Sequence, residues 1–127
     1  MTFKRMINAV DTHSGIPMRV ITGGVGHIPG ASVQEKMRWL EANDDQLRQL
    51  MLREPRGYPA HCCNLLVPPS HPEAQAGYII MEQVEYPMMS GGNTIAVVTV
   101  LLALGARRLA SAQVLTRRLN AIETLGQ

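Results

Sequence analysis

Ser90-Gly91-Gly92-Asn93 stands between a strand-like run, "AGYIIMEQVEY", and an apolar helix-like run, "TIAVVTVLLALG". A hydroxyl and two glycines at the mouth of a helix have two readings. One is ordinary capping, because Ser and Asn oxygens accept the first helical amides. The other is an anion-binding or catalytic loop. A helix start presents amides without internal partners, its dipole is positive there, and glycines let a ligand come close. A carboxylate or phosphate would then lie against Gly91 and Gly92, with the Ser90 hydroxyl beside it. On the residues alone both readings stay open. No Walker pattern is present, and Gly23-Gly24-Val25-Gly26 matches a dinucleotide loop only loosely, since its third glycine and the following helix are misplaced.

Other side chains offer less. His13, beside Asp11 and Thr12, could act as an acid or base, yet a histidine at a polar strand end is more often structural. His27, His61 and His71 share no metal-ligand spacing. Cys62 and Cys63 are neighbours in a strand-like run, so their side chains point to opposite faces. That argues against a bridge between them and a shared metal, and favours two small, partly buried thiols in a reducing compartment.

The elements that must position the loop follow from spacing and turn residues. Met6–Thr12 and Met18–Thr22 read as a strand hairpin around Ser14-Gly15-Ile16-Pro17. Ser32 and Glu35 form a capping box that opens a helix from Val33 to about Glu41, and a second helical stretch runs to about Leu52. His61–Val67 and Ala76–Tyr86 read as two strands of a long hairpin. Thr94–Leu104 reads as a helix that is apolar nearly all round, hence buried, with Gly105 as its cap. Residues 106–127 are basic and rich in Ala and Leu, which predicts an amphipathic terminal helix; Arg107, Arg108, Arg117 and Arg118 would form its solvated face.

Composition bounds the partners. The 127 residues suit one domain, and 46% hydrophobic content argues against disorder. A net charge of +2 is too small to imply nucleic acid or an anionic membrane. The first fifteen residues lack a secretory apolar core, and the longest apolar run, Ile95–Leu104, is too short to span a bilayer. A cytoplasmic protein with no nucleic-acid or membrane partner is the expectation.

Three motifs in order, "DTHSGIPMRVITGG", "EKMRWL…REPRG" and "YPMMSGGNTIAVVTVLLALG", resemble the N-terminal half of the proline racemase family from about Ile7 to Gly105. That family comprises proline racemases, 4-hydroxyproline epimerases and trans-3-hydroxyproline dehydratases. The resemblance implies an α/β (α+β) fold: a diaminopimelate-epimerase-like lobe over residues 1–105, with a mixed sheet of hairpins around a buried helix, then a non-family tail over 106–127. It also implies a two-lobed cleft in which each lobe offers one residue at a helix start. One takes the α-proton of a proline-like substrate and the other returns a proton to the opposite face, without cofactor or metal.

By that resemblance Ser90 is the catalytic residue, where most members carry Cys, and Gly91, Gly92 and Asn93 are the substrate-binding positions. Gly92 replaces the usual His. A hydroxyl is a far weaker acid than a thiol and needs a neighbouring base, which favours one-sided or dehydrating chemistry. The second lobe's "CGTGT"-like loop is not in this sequence. The chain is therefore expected to supply one half of an active site for hydroxyproline or proline, and to turn over poorly alone. A shifted reading frame or early stop would account for the basic tail. The alternatives are a dehydratase, a small-anion binder using the amides after Ser90, and a truncated non-catalytic fragment that dimerises through its exposed inter-lobe face.

Overall fold

The computed structural model describes residues 5–108. Its elements are β1 (Asn8–His13), β2 (Pro17–Gly23), α1 (Val33–Asn43), α2 (Gln46–Leu52), β3 (Cys62–Val67), β4 (Gly77–Met81) and α3 (Gly91–Arg108). The strands form one mixed sheet in the order β1-β2-β3-β4. Both outer pairs are antiparallel, as the two expected hairpins require, and the central pair β2–β3 is parallel with Met18 opposite Cys62. Parallel neighbours need a long crossover, and α1 and α2 provide it. This is the α/β lobe that the sequence predicts.

Side chains alternate across the strands and divide the core in two. Ile21, Cys63, Leu65, Ile79 and Met81 pack with Leu40, Leu47, Met51 and Leu52 from α1 and α2. Met18, Val20 and Cys62 pack with Ala96, Val97 and Val100 of α3. The adjacent Cys62 and Cys63 thus enter different clusters, both buried and unbridged.

The capping box is present in a modified form. Ser32 Oγ accepts the Glu35 amide at 3.1 Å, but Glu35 Oε2 takes the amide of Ala31, not that of Ser32, at 2.7 Å. β4 ends at Met81 and does not run on to Tyr86. The buried Arg48 draws in the carbonyls of Glu82 and Gln83, and Gln83 Nε2 donates to the Leu52 and Tyr58 carbonyls. These contacts fold residues 82–86 over α2.

α3 starts at Gly91 and continues through Gly105, which does not cap it. It lies on one face of the sheet: Asn93, Ala96, Val97 and Val100 are buried, while Ile95, Thr99 and Ala103 are exposed. The expectation of burial all round is corrected accordingly, because the described residues cover only one side of the helix. The predicted terminal helix after α3 falls outside the described residues.

Candidate functional site

Ser90 is the N-cap of α3. Its Oγ accepts the Asn93 amide at 3.3 Å, and its carbonyl accepts the Thr94 amide at 3.0 Å and the Thr94 hydroxyl at 2.8 Å. Two of the helix's leading amides are thereby used. Those of Gly91 and Gly92 have no acceptor among the described residues. A Cβ added at Gly91 would meet nothing within 4 Å, so the space beside its Cα is open. Gly92 is confined: its Cβ would lie 3.2 Å from Met18 Cε and 3.4 Å from the Ser14 carbonyl oxygen.

Side chains from around the sheet hold this first turn. The Ser14 hydroxyl, in the β1–β2 turn, donates to the Gly92 carbonyl at 2.7 Å. Asn93 Nδ2 donates to Asn64 Oδ1 of β3 at 2.8 Å, and Asn64 Nδ2 donates to the Arg19 carbonyl of β2 at 3.3 Å. The Tyr78 hydroxyl of β4 shares a hydrogen bond with Thr94 Oγ1.

Ser90, Gly91 and Gly92 therefore share the open end of the helix. Asn93 does not share it. Its side chain is 1% exposed and turned onto the sheet, and its amide is taken by Ser90, so it holds the loop in place. No His, Lys, Asp or Glu hydrogen-bonds to the Ser90 hydroxyl among the described residues. The hydroxyl is free to donate to a ligand, and no base is paired with it among the described residues. The flanking apolar side chains Met88, Met89 and Ile95 are 67%, 71% and 61% exposed, which leaves an apolar rim around the helix start.

A second polar group gathers beneath the other face. Arg19 grips Asp11 through Nε at 2.7 Å and Nη2 at 3.1 Å, and donates from Nη1 to the Met51 carbonyl at 2.7 Å. The guanidinium holds the Asp11 carboxyl below its ordinary range. His61, 3% exposed, has Nε2 at 3.9 Å from Asp11 Oδ1 and an Nδ1 with no hydrogen-bond partner among the described residues. Burial, then the Arg19 charge, push its pKa down. A cavity of about 310 Å³ brings Asp11, Thr12 and His13 together with Arg19, Tyr58 and His61. Ser90 is not in its lining. His27 and His71 are exposed elsewhere, and no set of three or more His, Cys, Asp or Glu among the described residues could hold a metal.

Ser14, Asn64, Tyr78 and Thr94 were not among the sequence candidates. Asn64 carried a signal: it is the single polar residue in the strand "CCNLLV".

The sequence model of the family described as proline racemase matches residues 9–123, nearly the whole chain and past Gly105, where the family likeness was expected to end. The chain belongs to the proline racemase family. A protein of Chromohalobacter salexigens is 46% identical over 106 residues, covering 83% of this chain and 29% of its own length. A 4-hydroxyproline 2-epimerase of Streptosporangium roseum is 43% identical over 106 residues, covering 83% of this chain and 32% of its own.

Two solved proline racemase-like structures superpose on the lobe. A hydroxyproline epimerase from Agrobacterium vitis, with bound trans-4-hydroxy-L-proline, has a TM-score of 0.75 and 38% identity, covering 84% of this chain and 32% of that one. A probable proline racemase from Agrobacterium radiobacter, with bound carbonate, has a TM-score of 0.73 and 41% identity, covering 79% and 30%. The chain spans about a third of the length of the curated relatives it matches. No helix among the described residues is long and apolar enough to cross a membrane.

Proposed function

We propose that this lobe supplies one half of the active site of a cofactor-independent epimerase acting on 4-hydroxyproline or proline. The observation that carries the reading is the pair of amides at Gly91 and Gly92, unclaimed among the described residues, with open space beside the Gly91 Cα. Two parallel N–H groups at the positive end of a helix suit an α-carboxylate. A carboxylate seated there brings the α-carbon beside Ser90. The amides also stabilise the negative charge that spreads into the carboxylate as the α-proton leaves.

Ser90 contributes a hydroxyl at one face of that carbon, and a group outside this lobe acts on the other. The exposed rim of Met88, Met89 and Ile95 is where the second half closes, and it would equally serve a homodimer. The relatives named as hydroxyproline epimerases support the substrate class. The unbridged Cys62 and Cys63 suit a reducing, cytoplasmic setting.

Trans-3-hydroxyproline dehydration is the second reading. It is favoured by the absence of a base on the Ser90 hydroxyl among the described residues, because in dehydration the α-proton is removed from one side, the 3-hydroxyl leaves with a proton as water, and the α-carbon is not reprotonated from the Ser90 side.

The test is a titration of the isotope-labelled chain with pyrrole-2-carboxylate, a planar stand-in for the deprotonated substrate. Saturating amide shifts at Gly91 and Gly92 are the expected result. Shifts scattered elsewhere, or none, would sink the proposal. Wash-out of α-deuterium from labelled 4-hydroxyproline by this chain alone would contradict the half-site view.

A further inference from the structure

Asn64 and Asn93 are buried against each other, 0% and 1% exposed, in a cluster otherwise built from Met18, Val20, Cys62, Ala96, Val97 and Val100. Two leucines would fill that space with comparable burial. What an amide pair adds is direction. The contact from Asn93 Nδ2 to Asn64 Oδ1, at 2.8 Å, exists for one rotation of α3 about its axis. Asn64 cannot swing to follow the helix, because its own Nδ2 is tied to the Arg19 carbonyl across the β2–β3 pair. Turning α3 by one residue is a rotation of about 100°; it would carry the Asn93 amide off Asn64 and leave Asn64 Oδ1 buried and unpaired. The apolar contacts of Ala96, Val97 and Val100 have no such angular preference, since their attraction is non-directional. Ser14 and Tyr78 also hold the first turn, but both are partly exposed, so water can replace their bonds.

We infer that Asn64 is a positioning residue: through Asn93 it sets the rotation of α3 and hence the direction in which the Ser90 hydroxyl and the Gly91 and Gly92 amides point. The aiming is a property of the fold. Only its use in catalysis rests on the function proposed above.

The test replaces both amides, Asn64→Leu with Asn93→Leu, so that neither partner is left unsatisfied and the fold retains its stability. Amide hydrogen exchange of the ligand-free chain is the readout. Exchange at positions 93 and 94, whose amides are held by Ser90, is expected to accelerate by about tenfold or more, with shifted resonances at Gly91 and Gly92. The mid-helix amides of Val97 and Val100 should not change. Unaltered exchange and shifts across 91–94 in a folded double variant would overturn the inference.

If the double variant does not fold, Asn64→Thr is read the same way, since it removes the amide and keeps strand propensity. Titration with pyrrole-2-carboxylate separates the two claims. If the parent chain binds, equal affinity in the variant overturns the positioning role, and a loss of about tenfold supports it. If the parent chain does not bind, the proposed function fails and the exchange result alone decides the role of Asn64.

Discussion

Asp45 and Arg48 meet across one turn of α2, Oδ2 to Nη2 at 2.6 Å, and the same guanidinium holds the carbonyls of Glu82 and Gln83. One ion pair therefore fastens the segment between β4 and α3 to the helix beneath it. Asp45 also accepts the Tyr86 hydroxyl at 2.7 Å and Gln49 Nε2 at 3.1 Å. Arg48 is the chief cause of a carboxyl held far below the ordinary carboxylate range. Because the folded-state pKa is depressed, the stabilisation is complete above the unfolded value of about 3.9 and is lost as pH falls below it. Asp45→Asn leaves Arg48 buried with one partner fewer, so a loss of about 3 kcal/mol is expected, with a flatter acid limb in urea unfolding between about pH 2 and 5. An unchanged acid limb would show that Asp45 is not its source.

His61 gives a second pH dependence. Its imidazole is nearly inaccessible, stacks near Tyr58 at 4.9 Å between ring centres, and faces both Arg19 and Asp11. With its pKa lowered on folding, the unfolded chain binds the proton more readily. Stability is then full above about pH 6.5 and falls as pH drops below that value. His61→Phe should keep the ring contact and erase this component. Unfolding midpoints at pH 5 and 7.5 should differ less in the variant than in the parent. An equal difference would place the effect elsewhere.

Gly91→Ala separates stability from ligand access. The new methyl group enters open space, so unfolding free energy should stay within about 0.5 kcal/mol of the parent or rise slightly. The same methyl group occupies the approach to the amide, and affinity for pyrrole-2-carboxylate should fall by about tenfold. Undiminished affinity would mean that the carboxylate does not rest on this amide.

Thiol chemistry reports on the helix start directly. Burial pushes the Cys63 thiol up to about 12 and the Cys62 thiol upward as well, so the parent chain should react slowly with a thiol reagent until it is unfolded. Ser90→Cys adds a thiol at the positive end of α3. Its alkylation midpoint should lie below the ordinary value of about 8.5, and it should outpace the two native thiols by at least about tenfold at pH 7. A midpoint above 8.5 would show that the helix end does not favour an anion there.

What was legible in the sequence was local. The Ser32 cap, the two hairpins and the helix opening at Ser90 each depend on residues within a few positions of one another, and turn and cap chemistry acts at that range. The end of β4 was not legible, because a guanidinium 34 and 35 residues away draws its carbonyls out of the strand. The continuation of α3 past Gly105 was missed for a related reason. Glycine lowers helix propensity, yet the same helix already lies on the sheet along Val97 and Val100, and packing outweighs that modest preference. The inward turn of Asn93 depends on Asn64, which only the folded sheet brings beneath it.

The parallel seam between β2 and β3 has a consequence for the order of assembly. Each hairpin can zip from its own turn, but Met18 and Cys62 meet only after the whole α1–α2 excursion has closed. α3 rests on that seam, so it has no bed to lie on until the slowest contact in the lobe is made. The helix start at Ser90 is then the last part to mature, and in a refolding time course the Gly91 and Gly92 amides should reach their native resonances after both hairpins, not before.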